Sequence, residues 1–252
     1  MTRQPGMPGE KRGICPRHWS GWVTVPPWRL SHGVSVMGGE ITALRVQKRN
    51  RQRVSVYLDG RFAFGLAAIE AARLRVGQFL SDEEIALLQK RDGVERAAER
   101  ALNLLSYRPR SRAEVRRRLA QKGYEEETVE EALDRLTRAG LLDDRAFAHY
   151  WVENRFQFNP RGVAVLRQEL WQKGVDQAIV EEVLAEYDEE TAAARAAEAA
   201  VRRLRRLDPP TFRRRLSDYL RRRGFPYAVI APLVEQALAD HIPEEPLQEH
   251  GE

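Results

Sequence analysis

Cysteines, histidines and long hydrophobic runs are all scarce in this chain of 252 residues. A single cysteine, Cys15, rules out an internal disulfide framework, and five scattered histidines offer no clustered set of zinc ligands. No stretch approaches the roughly 18 consecutive apolar residues of a membrane-spanning helix, and prolines interrupt the one apolar patch near the N-terminus. A lone thiol is typical of a reducing compartment. We therefore expect a cytoplasmic protein without a membrane anchor.

Nucleotide-binding and catalytic motifs are missing as well. The chain has no GxxxxGK[ST], no GxGxxG after a strand and no HExxH. The paired carboxylates Asp143 and Asp144 are better explained as a helix N-cap than as an acid–base pair, which would have to face a partner across a cleft. His149 lies in a helical pattern beside two aromatic residues, which favours an ordinary core or surface histidine over a base or a metal ligand. We expect no enzymatic activity, no metal and no cofactor.

The chain is rich in charge instead. It holds 42 lysines and arginines against 37 acidic residues, which gives a net charge of +5 and an isoelectric point of about 9.5. A basic protein favours an acidic partner such as nucleic acid. The hydrophobic share of 42% is enough, at this length, to bury a core in one large or two modest domains.

The first 36 residues contain five prolines and five glycines without any hydrophobic period. We expect a disordered extension over residues 1–36 and a disordered tail over residues 241–252. Met37 directly precedes a well-patterned segment and is a candidate translation start. One alternative for the extension is a partner-binding motif built on its three tryptophans, Trp19, Trp22 and Trp28.

Residues 37–91 are predicted to form a small β-module. Residues 54–66 read VSVYLDGRFAFGL, with apolar residues alternating on both sides of Asp59-Gly60. Asp-Gly between alternating runs is a strong hairpin signal, because a type I′ turn needs positive φ at both central residues. The preceding ITALRVQK can supply a third strand.

Helical patterns follow this module. Ser81 and Glu84 form a capping box that opens a short helix, predicted to run through Leu88. From residue 92 onward every segment has the apolar period of an α-helix, and one phrase occurs three times. Its copies read LAQKGYEEETVEEAL (119–133), LWQKGVDQAIVEEVL (170–184) and LRRRGFPYAVIAPLV (220–234).

The three copies align on Gly123, Gly174 and Gly224, which are 51 and 50 residues apart. A basic residue precedes each glycine and a bulky residue follows it. We predict that each glycine ends a helix at a position of positive φ, and that a second helix then begins. Apolar residues stand eight and four positions before the glycines, at Val115 and Leu119, Leu166 and Leu170, and Leu216 and Leu220.

A longer helix precedes each pair, so that each copy is the middle of a three-helix unit. The predicted units span residues 92–142, 143–187 and 188–240. One unit alone buries little surface, whereas stacked copies share a core. In the second unit the long helix carries aromatic residues at Phe147, Tyr150, Trp151 and Phe158. The predicted fold is mainly α, with tandem three-helix repeats after a small N-terminal β-hairpin module.

Arginines are concentrated in the third copy. Between Val201 and Pro226 there are ten arginines against two aspartates, a net charge of +8. In copies one and two, acidic residues after the glycine can pair with the basic ones, each exposed pair contributing under about 1 kcal/mol. The third copy lacks that acid, which favours phosphates or an acidic protein surface as its partner. The predicted contacts with nucleic acid or a filament are Arg116, Arg117, Arg202, Arg203, Arg205, Arg206, Arg213, Arg214, Arg215, Arg221, Arg222 and Arg223.

The order of these phrases resembles the RecX family of regulatory proteins. The resemblance runs over about residues 92–238 and includes ALNLLSYRPRSRAEVRRRLAQKGY, GLLDDRAFAHYWVENR, LRQELWQKGV and LRRRGF. The segment ITALRVQKRN with RVSVYLDGRFAFGL resembles the N-terminal module of longer members. The resemblance implies an elongated, curved repeat array that lies in the groove of a RecA filament on single-stranded DNA. It further implies restraint of ATP hydrolysis and strand exchange by RecA, a place in recombination and the SOS response, and no catalytic residues.

Two other functions compete with the leading expectation of a monomeric recombinase modulator. Three-helix units resemble helix-turn-helix domains, so a direct and largely sequence-independent DNA-binding protein is the runner-up. A purely structural scaffold is the third reading, which the segregation of charge within each repeat makes less attractive. Salt-sensitive DNA affinity without a target sequence separates the first reading from sequence-specific DNA recognition.

Overall fold

The computed structural model describes residues 37–240, and every structural statement below refers to that part of the chain. The predicted extension with its cysteine and tryptophans, and the predicted tail, lie outside the described residues. Within residues 37–240, no helix is long and apolar enough to cross a membrane.

The N-terminal module is an antiparallel sheet of four strands in the order β3-β2-β1-β4. Its strands are β1 (Gly39–Val46), β2 (Arg53–Leu58), β3 (Arg61–Ala67) and β4 (Phe79–Leu80). The hairpin turn is confirmed, because Asp59 and Gly60 have φ of 47° and 80°. The sheet has one strand more than expected, since β4 is only two residues long and pairs with Gly39 and Glu40. A strand of that length has no alternation that a sequence pattern can reveal.

The predicted short helix starts where expected but does not end at Leu88. The capping box of Ser81 and Glu84 is present, and helix α2 runs without interruption over Asp82–Leu105. It therefore belongs both to the β-module and to the first three-helix repeat. The side chain of Asp92 is buried and accepts hydrogen bonds from the Ala67 N–H and from Arg53, both at 2.8 Å. Because these groups hold the carboxylate, it does not compete with the helix backbone.

Asp92→Ala is expected to lower the free energy of unfolding by about 3 kcal/mol, because it leaves the Ala67 N–H without an acceptor and the largely buried Arg53 guanidinium without its counter-ion. Urea denaturation followed by circular dichroism measures the change. Glu83→Ala, an exposed change in the first turn of the same helix, serves as the control. Equal unfolding curves for the two variants would contradict this role for Asp92.

Helices account for the rest of the described chain. A short helix α1 (Ala68–Ala71) lies between β3 and β4. The second half of α2 begins repeat 1, and three helices each form repeats 2 and 3. The bounds are α3 (Arg112–Ala120), α4 (Glu126–Arg138), α5 (Asp144–Phe158), α6 (Val163–Gln172), α7 (Gln177–Ala185), α8 (Glu189–Leu204), α9 (Pro209–Arg222) and α10 (Tyr227–Ala239).

The aligned glycines and leucines do in the structure what their spacing predicts. Gly123, Gly174 and Gly224 have φ of 83°, 74° and 85°. In each repeat the residue after the glycine donates its N–H to the carbonyl of the aligned leucine, as in a Schellman-type helix end. The six apolar residues four and eight positions before the glycines are all 0% exposed. Each repeat has its own core cluster around them.

The aromatic residues predicted on the long helix of repeat 2 divide into two groups. Phe147 is buried and Trp151 is partly buried against the same core. Tyr150 and Phe158 are exposed, at 44% and 81%. Ala148 and Val152 fill the core face in their place, because the helix period puts them one and five residues after Phe147.

Candidate nucleic-acid interface

Ion pairs join the second and third helices within every repeat. Arg116 Nη2 lies 2.8 Å from Glu130 Oε2 in repeat 1, and Arg167 Nε lies 2.7 Å from Glu181 Oε1 in repeat 2. These two pairs occupy the same positions, seven before and seven after the aligned glycine. Hydrogen bonding to Arg116 lowers the pKa of Glu130, and the same contact raises the pKa of Arg116.

Two of the predicted contact residues form ion pairs of this kind with another helix of their own repeat. Arg116 is paired as described, and Arg213 of repeat 3 pairs with Glu235 on α10. Both arginines remain about half exposed, so the pairs are worth less than about 1 kcal/mol each. They leave the guanidinium groups reachable from solvent but partly neutralised.

The start of α3 in repeat 1 docks onto the turn after α6 in repeat 2. The Ser111 hydroxyl donates to the Lys173 carbonyl at 2.5 Å, and Lys173 Nζ lies 2.9 Å from Glu114 Oε1. Arg108 binds the same carboxylate through both terminal nitrogens, at 3.1 and 3.2 Å. These two cations outweigh the cost of burying Glu114 and lower the pKa of its carboxyl to about 2. The ammonium of Lys173 also lies 4.7 Å from the ring centroid of Trp151.

The start of α6 in repeat 2 docks onto the turn after α9 in repeat 3 at equivalent positions. The Gly162 N–H donates to the Arg223 carbonyl at 2.9 Å. Arg223 Nη1 donates to Asn159 Oδ1 at 2.7 Å and to the Pro160 carbonyl at 2.9 Å, and its guanidinium stacks on Tyr219. Arg223, a predicted contact residue, therefore joins two repeats.

The remaining predicted residues are exposed on α3, α8 and α9. Arg221 forms a local pair with Asp218 at 2.9 Å. Arg205 and Arg206 lie exposed just after α8. The others form no hydrogen bond through their side chains and no ion pair with any residue from 37 to 240; they are Arg117, Arg202, Arg203, Arg214, Arg215 and Arg222.

Five of these six arginines lie in repeat 3. Arg202 and Arg203 are in the last turn of α8, and a four-residue connection leads from that helix into α9. Arg215 and Arg222 are seven residues apart and so share one side of α9. We call the five exposed arginines in the last turn of α8 and along α9 the repeat-3 arginine surface: Arg202, Arg203, Arg214, Arg215 and Arg222.

Arg215 has a second explanation. It stands nine positions before Gly224, where repeat 1 has Glu114 and repeat 2 has Val165. Those two residues touch the following repeat, Glu114 through Lys173 and Val165 against Gly224. A terminal repeat needs a polar residue at such a position to keep its outer face soluble. Arg214 likewise stands where repeat 1 has Ala113, which lies against Gly174 of repeat 2. The need for a polar outer face therefore accounts for Arg214 and Arg215, but not for Arg202, Arg203 and Arg222.

The predicted set omits Arg118, which the structure leaves exposed on α3. Burial, and then the charges of Arg108 and Arg118, lower the pKa of Arg110 in the loop before this helix. Like charges are thus gathered at the start of α3 with Glu114 as their buried counter-ion. The run Arg116–Arg118 in the sequence signals this concentration, but not which members are paired.

Family models match this chain in four consecutive segments. The N-terminal domain of the regulatory protein RecX matches residues 39–81, and the first, second and third three-helix domains of RecX match residues 97–136, 143–184 and 188–233. Regulatory protein RecX of Bacillus licheniformis is 32% identical over 220 residues, which is 84% of this chain and 84% of that protein. The chain belongs to the RecX family. It is therefore a regulatory protein built of a small sheet and tandem three-helix domains.

Other members of the RecX family give the same result. Regulatory protein RecX of Corynebacterium efficiens is 36% identical over 198 residues, covering 73% of this chain and 93% of that protein. A crystal structure of regulatory protein RecX superposes with a TM-score of 0.65 at 27% identity, covering 78% of this chain and 98% of that one. RecX from Lactobacillus salivarius has a TM-score of 0.52 at 25% identity, covering 58% and 97%.

Proposed function

We propose that this RecX family member binds the RecA filament on single-stranded DNA and inhibits its ATP hydrolysis and recombinase activity. The observation that carries the proposal is the repeat-3 arginine surface, whose exposed cations form no ion pair with any residue from 37 to 240. A phosphate backbone supplies the missing negative charge. The protein acts in the cytoplasm as a non-catalytic monomer, with RecA as the protein partner and the DNA inside the filament as the second contact.

The repeat architecture supports this partner. Each joint places the next repeat by contacts at equivalent positions, and each repeat has its own core, so the three repeats form a series. A series of repeats presents a long surface, which suits a helical filament better than a small epitope. Direct DNA binding without RecA is the second candidate function, because the same arginines fit phosphates whether or not a recombinase is present.

Charge reversal of unpaired arginines tests the DNA contact. The double variant Arg214→Glu/Arg222→Glu is expected to weaken filament binding about tenfold or more at moderate salt. Two lost phosphate contacts on a single strand should also flatten the slope of log K against log salt by about 1.4. Fluorescence anisotropy of labelled filaments at several salt concentrations measures both quantities.

The matched control is Arg213→Gln/Arg221→Gln, which removes two cations that are already paired on the same helix. Its affinity and its salt slope should stay close to those of the unaltered protein. If the two double variants behave alike, or if the Glu variant keeps its full affinity with its fold intact, the surface does not contact DNA.

A further inference from the structure

Two aromatic side chains are almost fully exposed at the same place in successive repeats. Tyr107 is 84% exposed and Phe158 is 81% exposed. Each stands sixteen positions before the aligned glycine of its repeat, where the first helix gives way to the second. In both repeats a proline follows two residues later and an arginine three residues later. One exposed aromatic residue is ordinary, but the same one at the period of the array indicates a surface that repeats with it.

The segments that carry these aromatic residues, residues 107–111 and 158–162, are each hydrogen-bonded to the following repeat. The first ends at Ser111, whose hydroxyl binds the Lys173 carbonyl at 2.5 Å. The second ends at Gly162, whose N–H binds the Arg223 carbonyl at 2.9 Å. Each is therefore fixed to the repeat that follows it by a contact at the equivalent position. A platform held in place before its ligand arrives loses less conformational entropy on binding.

Cationic groups accompany both aromatic residues. Around the first segment, the charges of Arg108 and Arg118 act on Arg110 and, after burial, lower the pKa of its guanidinium. An anion at this place would relieve that repulsion. In the second segment, the Nε of Arg161 is buried and has no hydrogen-bond partner among residues 37–240. Arg195 reaches the same segment, with Nη2 3.2 Å from Gln157 Oε1 beside Phe158.

We propose that Tyr107 and Phe158 are stacking platforms for unpaired bases of a single-stranded nucleic acid, whose phosphates meet the neighbouring arginines. Proteins that hold single strands without a target sequence combine aromatic rings with a positively charged path for the backbone. The arginines that accompany both rings supply the positive charge that such a path needs. Repeat 3 adds no third platform, because Asp208 occupies the position and caps α9 through the Thr211 N–H.

The inference rests on the nucleic-acid contact in the proposed function, but it places that contact in repeats 1 and 2. None of the twelve arginines predicted from the sequence lies in these two segments. The arginines near the platforms are Arg110, Arg118, Arg161 and Arg195.

Removal of the bases from the ligand tests stacking directly. The full-length protein, without RecA, is titrated into a labelled thymidine oligonucleotide and into an abasic oligonucleotide with the same number of phosphates. The unaltered protein should bind the thymidine strand at least tenfold more tightly. Tyr107→Ala and Phe158→Ala should each weaken that binding about fivefold or more, since a stacked base contributes about 1–3 kcal/mol. Binding of the abasic strand should not change.

Substitutions that keep an aromatic ring sharpen the test. Tyr107→Trp and Phe158→Tyr should keep the preference for the thymidine strand. Phe79→Ala removes an aromatic residue that is 66% exposed in the sheet and should leave both affinities unchanged. Equal affinity of the unaltered protein for the two strands, or no affinity for either, would overturn the inference. If the alanine variants bind the thymidine strand normally but fail to inhibit RecA, the rings contact protein, and only the stacking inference fails.

Discussion

Glu114→Gln is expected to lower the free energy of unfolding by about 3 kcal/mol at pH 7. Glu114 is buried at the joint between repeats 1 and 2, where Arg108 and Lys173 hold its carboxylate. The pKa of this carboxyl falls from an ordinary 4.5 to about 2 in the folded protein. Each unit of such a shift corresponds to about 1.4 kcal/mol of stability.

The sign of the shift fixes how this stability depends on pH. A carboxyl whose pKa is lowered by folding contributes fully above its ordinary pKa and loses that contribution as the pH falls towards the folded value. Urea denaturation of the two proteins should therefore differ most at pH 7, and the difference should shrink by about half at pH 3.

An exposed ion pair provides the control for this joint. Glu181→Gln removes the partner of Arg167 within repeat 2, and the side chains of Arg167 and Glu181 are 32% and 45% exposed. It should cost less than about 1 kcal/mol. If Glu114→Gln costs no more than Glu181→Gln, or if its cost does not change between pH 7 and pH 3, the buried carboxylate does not hold the joint.

Gly162→Ala is expected to open the joint between repeats 2 and 3. A Cβ on Gly162 would lie 2.1 Å from the Gly224 carbonyl oxygen and 2.8 Å from the Phe225 nitrogen. Both atoms belong to the backbone of the next repeat, so no side chain can rotate away. The repeats would have to separate, with loss of the hydrogen bond from the Gly162 N–H to the Arg223 carbonyl. We expect a cost of about 3 kcal/mol or more, at the upper end for overpacking.

Hydrogen exchange locates the effect of this substitution. Amides of α9 and α10 should exchange faster, while those of α3 and α4 stay protected, because coupling in a repeat array passes only between neighbours. Gly93→Ala in α2 is the matched control, since its Cβ would meet only the side chain of Thr128 on α4, at an ordinary contact distance of 3.6 Å. It should be neutral or slightly stabilising. Uniform exchange across all three repeats, or a Gly162 variant as stable as the Gly93 variant, would contradict the joint.

Much of the fold follows from local pattern. The leucines four positions before Gly123, Gly174 and Gly224 are buried because a helix period of 3.6 puts them on one face. The glycines have positive φ because each closes a Schellman-type turn. Both rules act within a few residues, so the printed sequence is sufficient to predict them.

The joints could not be predicted in the same way. Ser111 is a good N-cap and Gly162 a good turn residue, so the sequence predicts only a local role for each at the start of a helix. Their decisive contacts are with Lys173 and Arg223, each about sixty residues away along the chain. Only the packing of one repeat against the next brings such groups together.

The sequence predicts the positive charge of the candidate interface, but not which of its arginines bind other residues of the protein. The net charge of +8 between Val201 and Pro226 is plain in the sequence. Which cations are engaged depends on partners elsewhere in the fold, as with the Glu235 carboxylate for Arg213 and the Asn159 amide oxygen for Arg223. Tyr107 could not be predicted as a site from the sequence, because one aromatic residue in a loop is ordinary. Only the structure shows that Tyr107 and Phe158, at equivalent positions in successive repeats, are both exposed.

ATP hydrolysis by RecA on single-stranded DNA, measured while this protein is titrated in, tests the account most directly. A binding curve to the same DNA without RecA is recorded alongside. We predict that hydrolysis falls at protein concentrations too low to coat the bare DNA, as expected for a regulator that acts on the filament. A fall only at concentrations that saturate the DNA would contradict this, and would make simple competition for DNA the function of the protein.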